Sequence, residues 1–254
     1  MHPCLSSFMH ISNTSLEIQR EPFARPFGFK GAAFHEKWNM VVRLTDADGQ
    51  EAVGIGGLAV LWSDADVFAA HTEVGGNVLQ TALLEHALQL VKERPFEDPP
   101  EMLHYLLPQV HDYGRMITRN PDLRPTFSLI ALVALDNAAW LLHAKQRNLS
   151  TFDDPIPSPY RACLAHRQRH IATVPAVGYT LPTDELQTIL DAGAYVLKIK
   201  IGHPGTEEDM VQADMDRLDE IHRIASACDT SMTDAGHICY YLDANGRYGQ
   251  KDSM

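Results

Sequence analysis

Cysteine is scarce in this sequence, and what it lacks narrows the field first. Cys4, Cys163, Cys228 and Cys239 lie far apart and form no CxxC pair, which argues against a zinc ribbon and a dense disulfide framework. Reduced thiols in a cytosolic protein fit that usage. Basic side chains are outnumbered, with 21 Lys and Arg against 33 Asp and Glu and a formal net charge of −12. A surface that acidic repels phosphate backbones, so nucleic acid is not an expected partner. Long hydrophobic runs are missing too. The most apolar segment, Phe127–Leu142, is interrupted by Asp136 and Asn137 and is too short to span a bilayer comfortably. The opening MHPCLSSFMH has neither the basic start nor the apolar stretch of a secretory signal. The expectation is a soluble, cytoplasmic protein with no membrane partner. What is present, 254 residues of which 45% are apolar, suits one large or two modest globular domains.

Along the chain, residues 15–19 alternate as in a strand, Trp38–Leu44 is a second strand-like run, and Thr45–Gln50 supplies turn chemistry before Glu51–Gly56 returns as a third. Between the first two lies REPFARPFGFKGAAF, Arg20–Phe34, whose richness in turn formers reads as a loop. Apolar residues at three- and four-residue steps from Val78 to Val91 mark an amphipathic helix. A shorter helix covers Glu101–Leu107. The longest runs from Thr126 to about Lys145, apolar on nearly all sides, introduced by Pro125 with Thr126 as its N-cap. The prolines of TFDDPIPSPY, Thr151–Tyr160, then stop regular structure and divide residues 1–155 from residues 156–254.

Past that point the rhythm becomes strand, helix, strand, helix, strand. Thr173–Tyr179 is the first strand, Thr183 caps a helix of Asp184–Ala192 ending at Gly193, and Tyr195–Ile201 is the second strand. Thr206 caps a helix opening on Glu207, Glu208 and Asp209 and reaching about Ala227. Cys228–Gly236 is irregular, and Ile238–Leu242 is the third strand. This alternation predicts an α/β fold with parallel strands and right-handed crossovers.

The chemistry gathers in two of those strands. In VLKIKIG, Lys198 and Lys200 share one face while Leu197, Ile199 and Ile201 share the other. The apolar face wants helices, so the lysines point together to the opposite side, near the strand's carboxyl end. Two ammonium groups held close raise each other's ionisation cost, and a lysine so perturbed serves as a general base. A solvent-facing edge strand that uses lysines to discourage aggregation is the competing reading of KxK alone. In YLDANGRY, Tyr241, Asp243 and Asn245 share a face, and Asp243 stands at the strand end before a glycine turn. D-x-N-G by itself is as readily a turn. One crossover from KxK, the carboxylate and amide instead suit a hard cation such as Mg²⁺ together with proton transfer.

The stretch from about Glu17 to Tyr248, through VLKIKIG, YLDANGRY and the helix ALVALDNAAWLLHAK, resembles the enolase superfamily in its mandelate racemase and muconate lactonizing enzyme branch. Its KxK is similar to that of the muconate lactonizing subgroup, which includes dipeptide epimerases such as L-Ala-D/L-Glu epimerase. The resemblance implies an α+β capping domain over residues 1–155, followed by a modified (β/α) barrel of TIM type, with a small-molecule carboxylate substrate held between them. It implies Lys200 as the acid/base at the substrate α-carbon, with Lys198 tuning it and neutralising the substrate carboxylate. It also implies Asp243 as the first of three Mg²⁺-binding carboxylates, with Asn245 as its companion. Mg²⁺ with a lysine base stabilising an enediolate is the logic of such enzymes. Arg20–Phe34 corresponds to a mobile capping loop in which Phe27, Phe29 and Lys30 are the expected substrate contacts. Members of the family are often homo-oligomers.

Other candidates yield to plainer readings. His166 and His170 have a spacing that would bind a metal on a helix, yet AHRQRHI is basic and offers no acidic partner. Asp136 suits a hydrogen-bonding role at a domain interface. Gly54-Ile55-Gly56-Gly57 lies near a second specificity loop and opens no helix as a nucleotide motif would. A (β/α)₈ barrel needs about 250 residues, and residues 156–254 hold only its first three strands, without positions for the second and third metal carboxylates or an opposing lysine. The expectation is an incomplete barrel. Three readings follow: part of an epimerase-like enzyme; a cycloisomerase or dehydratase of muconate, o-succinylbenzoate or sugar-acid type on the same scaffold; or a non-catalytic remnant or half-protein that assembles with another chain.

Overall fold

The computed structural model describes residues 8–151 and 153–249. Cys4 and most of the opening stretch read above for a secretory signal fall outside them, as does Phe152 of the proline-rich linker. The chain divides into two compact units: residues up to Pro22 with Glu36–His166, and Phe23–His35 with Arg167 onward.

The first sheet has the order β1-β2-β3, with β1 at Ile11–Phe29, β2 at Ala32–Asp46 and β3 at Glu51–Gly57. Strands β2 and β3 pair antiparallel from Asn39↔Gly57 to Thr45↔Glu51. Their turn is the one expected: Asp46 Oδ1 accepts the Asp48 and Gln50 amides at 3.0 and 2.8 Å, and Gly49 takes a positive φ. Arg20–Phe34, by contrast, is not a loop. It is the distal part of the long β1–β2 hairpin, turned by Lys30 and Gly31, whose φ values are 55° and 77°. Two successive left-handed residues match the right-handed twist of the flanking strands. The prolines are tolerated because β1 is an edge strand, where a missing N–H that faces outward costs no ladder bond. Pro22 and Pro26 are four apart and therefore face the same way. The outward row is in use at this point: the Pro26 and Gly28 carbonyls accept from Thr180 Oγ1 at 2.9 Å and the Tyr179 amide at 3.4 Å.

Trp38, Met40, Val42 and Leu44 alternate inward along β2 and are buried with Ala52 of β3. A short turn, α1 (Val60–Ser63), and three long helices complete this core: α2 (Ala65–Leu90, broken at Thr72), α3 (Pro99–Thr118) and α4 (Pro125–Gln146). Helix α4 has the length and apolar composition of a membrane-crossing helix, and more than half of that stretch is buried inside the protein. It lies so close to β3 that a Cβ on Gly54 would collide with the backbone of Ala134 and Ala138. The GIGG run is thus part of a strand, and its first glycine is there for close packing.

Two helix expectations need correction. The helix expected at Glu101–Leu107 is α3, twenty residues long, which continues through Pro108. Capping by Asp98, whose side chain accepts the Glu101 amide at 2.8 Å, and tertiary packing outweigh the one backbone bond that Pro108 forgoes. Thr126 is not the N-cap of α4. Arg124 holds that position, Pro125 is the first helical residue, and Thr126 Oγ1 donates instead to the Ser63 carbonyl at 2.7 Å.

In the second unit, β4 (Ala176–Val177), β5 (Val196–Lys200) and β6 (Cys239–Asp243) form a parallel sheet in the order β4-β5-β6. The first strand is far shorter than Thr173–Tyr179. Helices α6 (Thr183–Asp191) and α7 (Glu207–Ala225) complete the two crossovers. Thr183 is itself helical, with Pro182 at the N-cap position. Thr206 caps α7 as expected, in a reciprocal capping box with Asp209. Val177, Leu186, Leu190, Leu197, Ile199, Ile201 and Ile221 form the core. Among the described residues the sheet is open, with three strands and no closed barrel. Near the end of the first unit, α5 (Ser158–Arg161) is a single turn, and His166 and His170 lie outside any helix, so their i,i+4 spacing sets up no shared face.

Candidate active site

Strand β5 does what its alternation demands. Leu197 and Ile199 are fully buried in the helix-facing core, and Lys198 and Lys200 project from the other face. In register, Lys198 stands opposite Tyr241 and Lys200 opposite Asp243 on β6. Both ammonium groups meet the same carboxylate oxygen: Nζ of Lys200 lies 2.7 Å and Nζ of Lys198 3.0 Å from Asp243 Oδ2. Asn245, in a left-handed conformation just past the strand, turns its Oδ1 to Lys200 at 2.9 Å, while its amide donates to Asp243 Oδ1 at 3.1 Å.

Lys200 is only 7% exposed, whereas Lys198 and Asp243 are partly open to solvent. Phe29, at the hairpin tip, and Tyr241 each place a ring about 5 Å from an ammonium, Phe29 at Lys200 (5.0 Å) and Tyr241 at Lys198 (5.1 Å). Burial pushes the Asp243 carboxyl up, but the hydrogen bonds from Lys200 and Lys198, with the Lys200 charge, outweigh it and hold the group below the usual carboxylate range. The ensemble is two cations, one ionised carboxylate and one amide at the carboxyl ends of adjacent parallel strands, where α/β folds place their chemistry.

The structure therefore brings together Lys198, Lys200, Asp243, Asn245 and Phe29. Phe29 is 5% exposed, with its ring against the Lys200 ammonium. Phe27 packs against Phe29 and Phe34 with ring centroids 5.9 and 5.7 Å apart. Lys30 forms the turn. Asp136 has its carboxyl pushed up by burial and is hydrogen-bonded by Trp140, in keeping with a structural role. Sequence reading missed Tyr179, Asp214 and Arg247, which surround the end of β5. Asp214 carried a usable signal, a charge within the apolar series Met210, Ile221 and Ala225 of α7.

As a metal site the donor set is incomplete. Mg²⁺ takes six oxygen ligands in near-octahedral geometry, whereas this cluster offers one carboxylate and one amide, with both lysine ammoniums on the carboxylate. No group of three or more His, Cys, Asp or Glu side chains gathers among the described residues. These residues do not make a Mg²⁺ site by themselves.

No protein-family model and no curated protein matches the sequence. Solved structures do match. A dipeptide epimerase from Enterococcus faecalis V583, complexed with Mg and L-Leu-L-Tyr, is similar over 94% of this chain and 55% of its own, with TM-score 0.55 and 17% identity. A mandelate racemase/muconate lactonizing enzyme-like protein from Rubrobacter xylanophilus matches over 94% and 54%, with TM-score 0.55 and 16% identity. Over the part it spans, the chain has the fold of the mandelate racemase/muconate lactonizing enzyme-like proteins. L-talarate dehydratase from Polaromonas sp. JS666, complexed with Mg and L-glucarate, shares that fold at TM-score 0.53 and 18% identity over 94% of this chain and 55% of its own. The chain spans about half the length of the structures it matches.

Proposed function

We propose that this chain carries the lysine side of a racemase or epimerase site of the enolase superfamily, one that removes the proton α to a carboxylate of a small molecule, with dipeptides such as L-Ala-L-Glu as the substrate class. In this reading residues 1–155 are the capping domain and residues 156–254 the opening part of the barrel. The observation that carries it is the convergence of Lys198 and Lys200 on Asp243 at the ends of adjacent parallel strands.

A hydrogen α to a carboxylate is a weak acid because its removal puts a second negative charge beside the first. Lys200, held by Asn245 and Asp243 and shielded by Phe29, would take that proton on Nζ in its amine form. Lys198, more open to solvent, would exchange Asp243 for the substrate carboxylate and neutralise it. For the whole protein we propose Mg²⁺ as cofactor, with Asp243 giving one of its ligands. The dehydratase among the neighbours supports a second reading, cycloisomerisation or dehydration on the same scaffold.

The test is exchange of α-hydrogen in D₂O by a chain completed with the rest of the barrel, followed by NMR with Mg²⁺ present, for Ala-Glu dipeptides, sugar acids and a succinylbenzoate precursor. Dipeptide exchange that Lys200→Ala reduces by at least 10²-fold, the order typical of general acid/base groups, is expected. Reaction of a sugar acid or the succinylbenzoate precursor without dipeptide exchange would overturn the epimerase reading. Full activity in Lys200→Ala would overturn the assignment of the base.

A further inference from the structure

Two residues beyond Lys200, the chain leaves β5 through Gly202, whose φ of 88° and closeness to Arg247 (a Cβ would lie 2.7 Å from its Cβ) require glycine. Both sides of that glycine are gripped. Its amide donates to Asp214 Oδ2 at 2.6 Å, and its carbonyl accepts from the Tyr179 hydroxyl at 2.7 Å and Arg247 Nε at 3.3 Å. Asp214 comes from α7, is 3% exposed and is saturated. Besides Gly202 it accepts from the His203 amide at 3.4 Å, from His203 Nδ1 and from the Tyr248 hydroxyl. The His203 ring stacks on Tyr179 with centroids 4.1 Å apart. Burial and then the Asp214 hydrogen bond push the Tyr248 phenol up, which keeps it a donor. The same node reaches the hairpin tip, since Tyr179 packs on Gly28 and Arg247 on Gly31. A saturated buried carboxylate with four donors is costly to disturb, because each donor it loses is left unpaired.

We propose that Asp214 is a positioning residue for Lys200: through the Gly202 peptide, and with Tyr179 and Arg247 on its other side, it fixes the end of β5 and so the direction in which the Lys200 ammonium meets Asp243 and the hairpin tip. The inference rests on the proton-transfer reading for its consequence in catalysis, and on geometry alone for its consequence at Lys200. Asn at position 214 keeps the shape but replaces acceptor capacity with an NH₂ that faces donors.

The experiment uses the full chain, ¹⁵N-labelled, and compares wild type with Asp214→Asn and with Asp216→Asn, an exposed carboxylate on the same helix. In Asp214→Asn the Gly202 amide should exchange with solvent roughly tenfold faster or more, and the Lys200 ammonium signal should move or vanish. Asp216→Asn should change neither. Any α-hydrogen exchange activity should fall in kcat with KM held. A folded Asp214→Asn that keeps both the Gly202 protection and the Lys200 signal overturns the proposal. Should that variant fail to fold, Tyr179→Phe, which removes the hydroxyl that ties the Gly202 and Ile201 carbonyls to the Lys30–Gly31 backbone, carries the same two readouts, and no change there overturns it equally. A moved Lys200 signal here, with no α-hydrogen exchange by the chain completed with the rest of the barrel, would sink the functional reading and leave the positioning intact.

Discussion

At Asp243 one carboxylate holds two ammonium groups, one of them nearly buried, and this asymmetry decides which single change hurts more. Removing the carboxylate leaves two like charges side by side, with Lys200 buried and no counter-charge. Removing the Lys200 charge leaves Asp243 still paired with the more exposed Lys198. Asp243→Ala should therefore cost the more, roughly 2–3 kcal/mol, less than a fully buried pair because the carboxylate and Lys198 are partly open to solvent, and Lys200→Met roughly 1–2 kcal/mol, the scale of a charged hydrogen bond. Urea unfolding at pH 7 measures both, and the reverse order would show that the lysines do not depend on Asp243. Because the folded carboxyl is held down, its stabilisation is present above the unfolded carboxylate range and is lost as pH falls through the folded value, so the Asp243→Ala penalty should shrink in acid. Lys198, Lys200 and Asp243 were legible in the sequence because strand alternation is strict, whereas Asn245 lies past the end of β6 in a left-handed conformation and joins them through the turn rather than along the strand face. Asp214 showed only as a charge on the apolar face of α7, and neither its partner at Gly202 nor the role of Tyr179 follows from a local pattern, since each bond joins two different elements.

The elements divide along similar lines. Parallel strands, the capped helix α7 and the Asp46 turn could all be read, since each follows from a local pattern. The long hairpin could not, because its turn is Lys-Gly rather than Asn-Gly and its prolines suggest a loop until the edge position of β1 is known. The usable signal was the spacing of aromatic residues on both sides of Lys30-Gly31. A lysine at φ 55° carries the steric cost that asparagine largely escapes. Lys30→Asn should accordingly stabilise the protein by about 0.5–1 kcal/mol in chemical denaturation. A loss of stability would mean that the Lys30 side chain contributes more to the tip than the strain removes.

On the scale of the whole chain, the two units differ in how much they bury. The first has a core that runs from Met9 and the sheet through α2, α3 and α4 to Leu142. The second relies on a small cluster around Val177, Leu197, Ile199 and Ile221, beneath a three-stranded parallel sheet whose edge strand exposes Tyr241 at 53% and Leu242 at 37%. Apolar burial stabilises in proportion to area, and parallel sheets are ordinarily covered on both faces, so the second unit should be the weaker. Its sequence pattern was readable strand by strand. Hydrogen exchange with rising urea should release the amides of Val196–Lys200 and Cys239–Asp243 before those of Leu83–Leu88 and Ala131–Leu142, in two separate steps. A single cooperative transition that releases all four segments together would show that the smaller core draws its stability from the larger one.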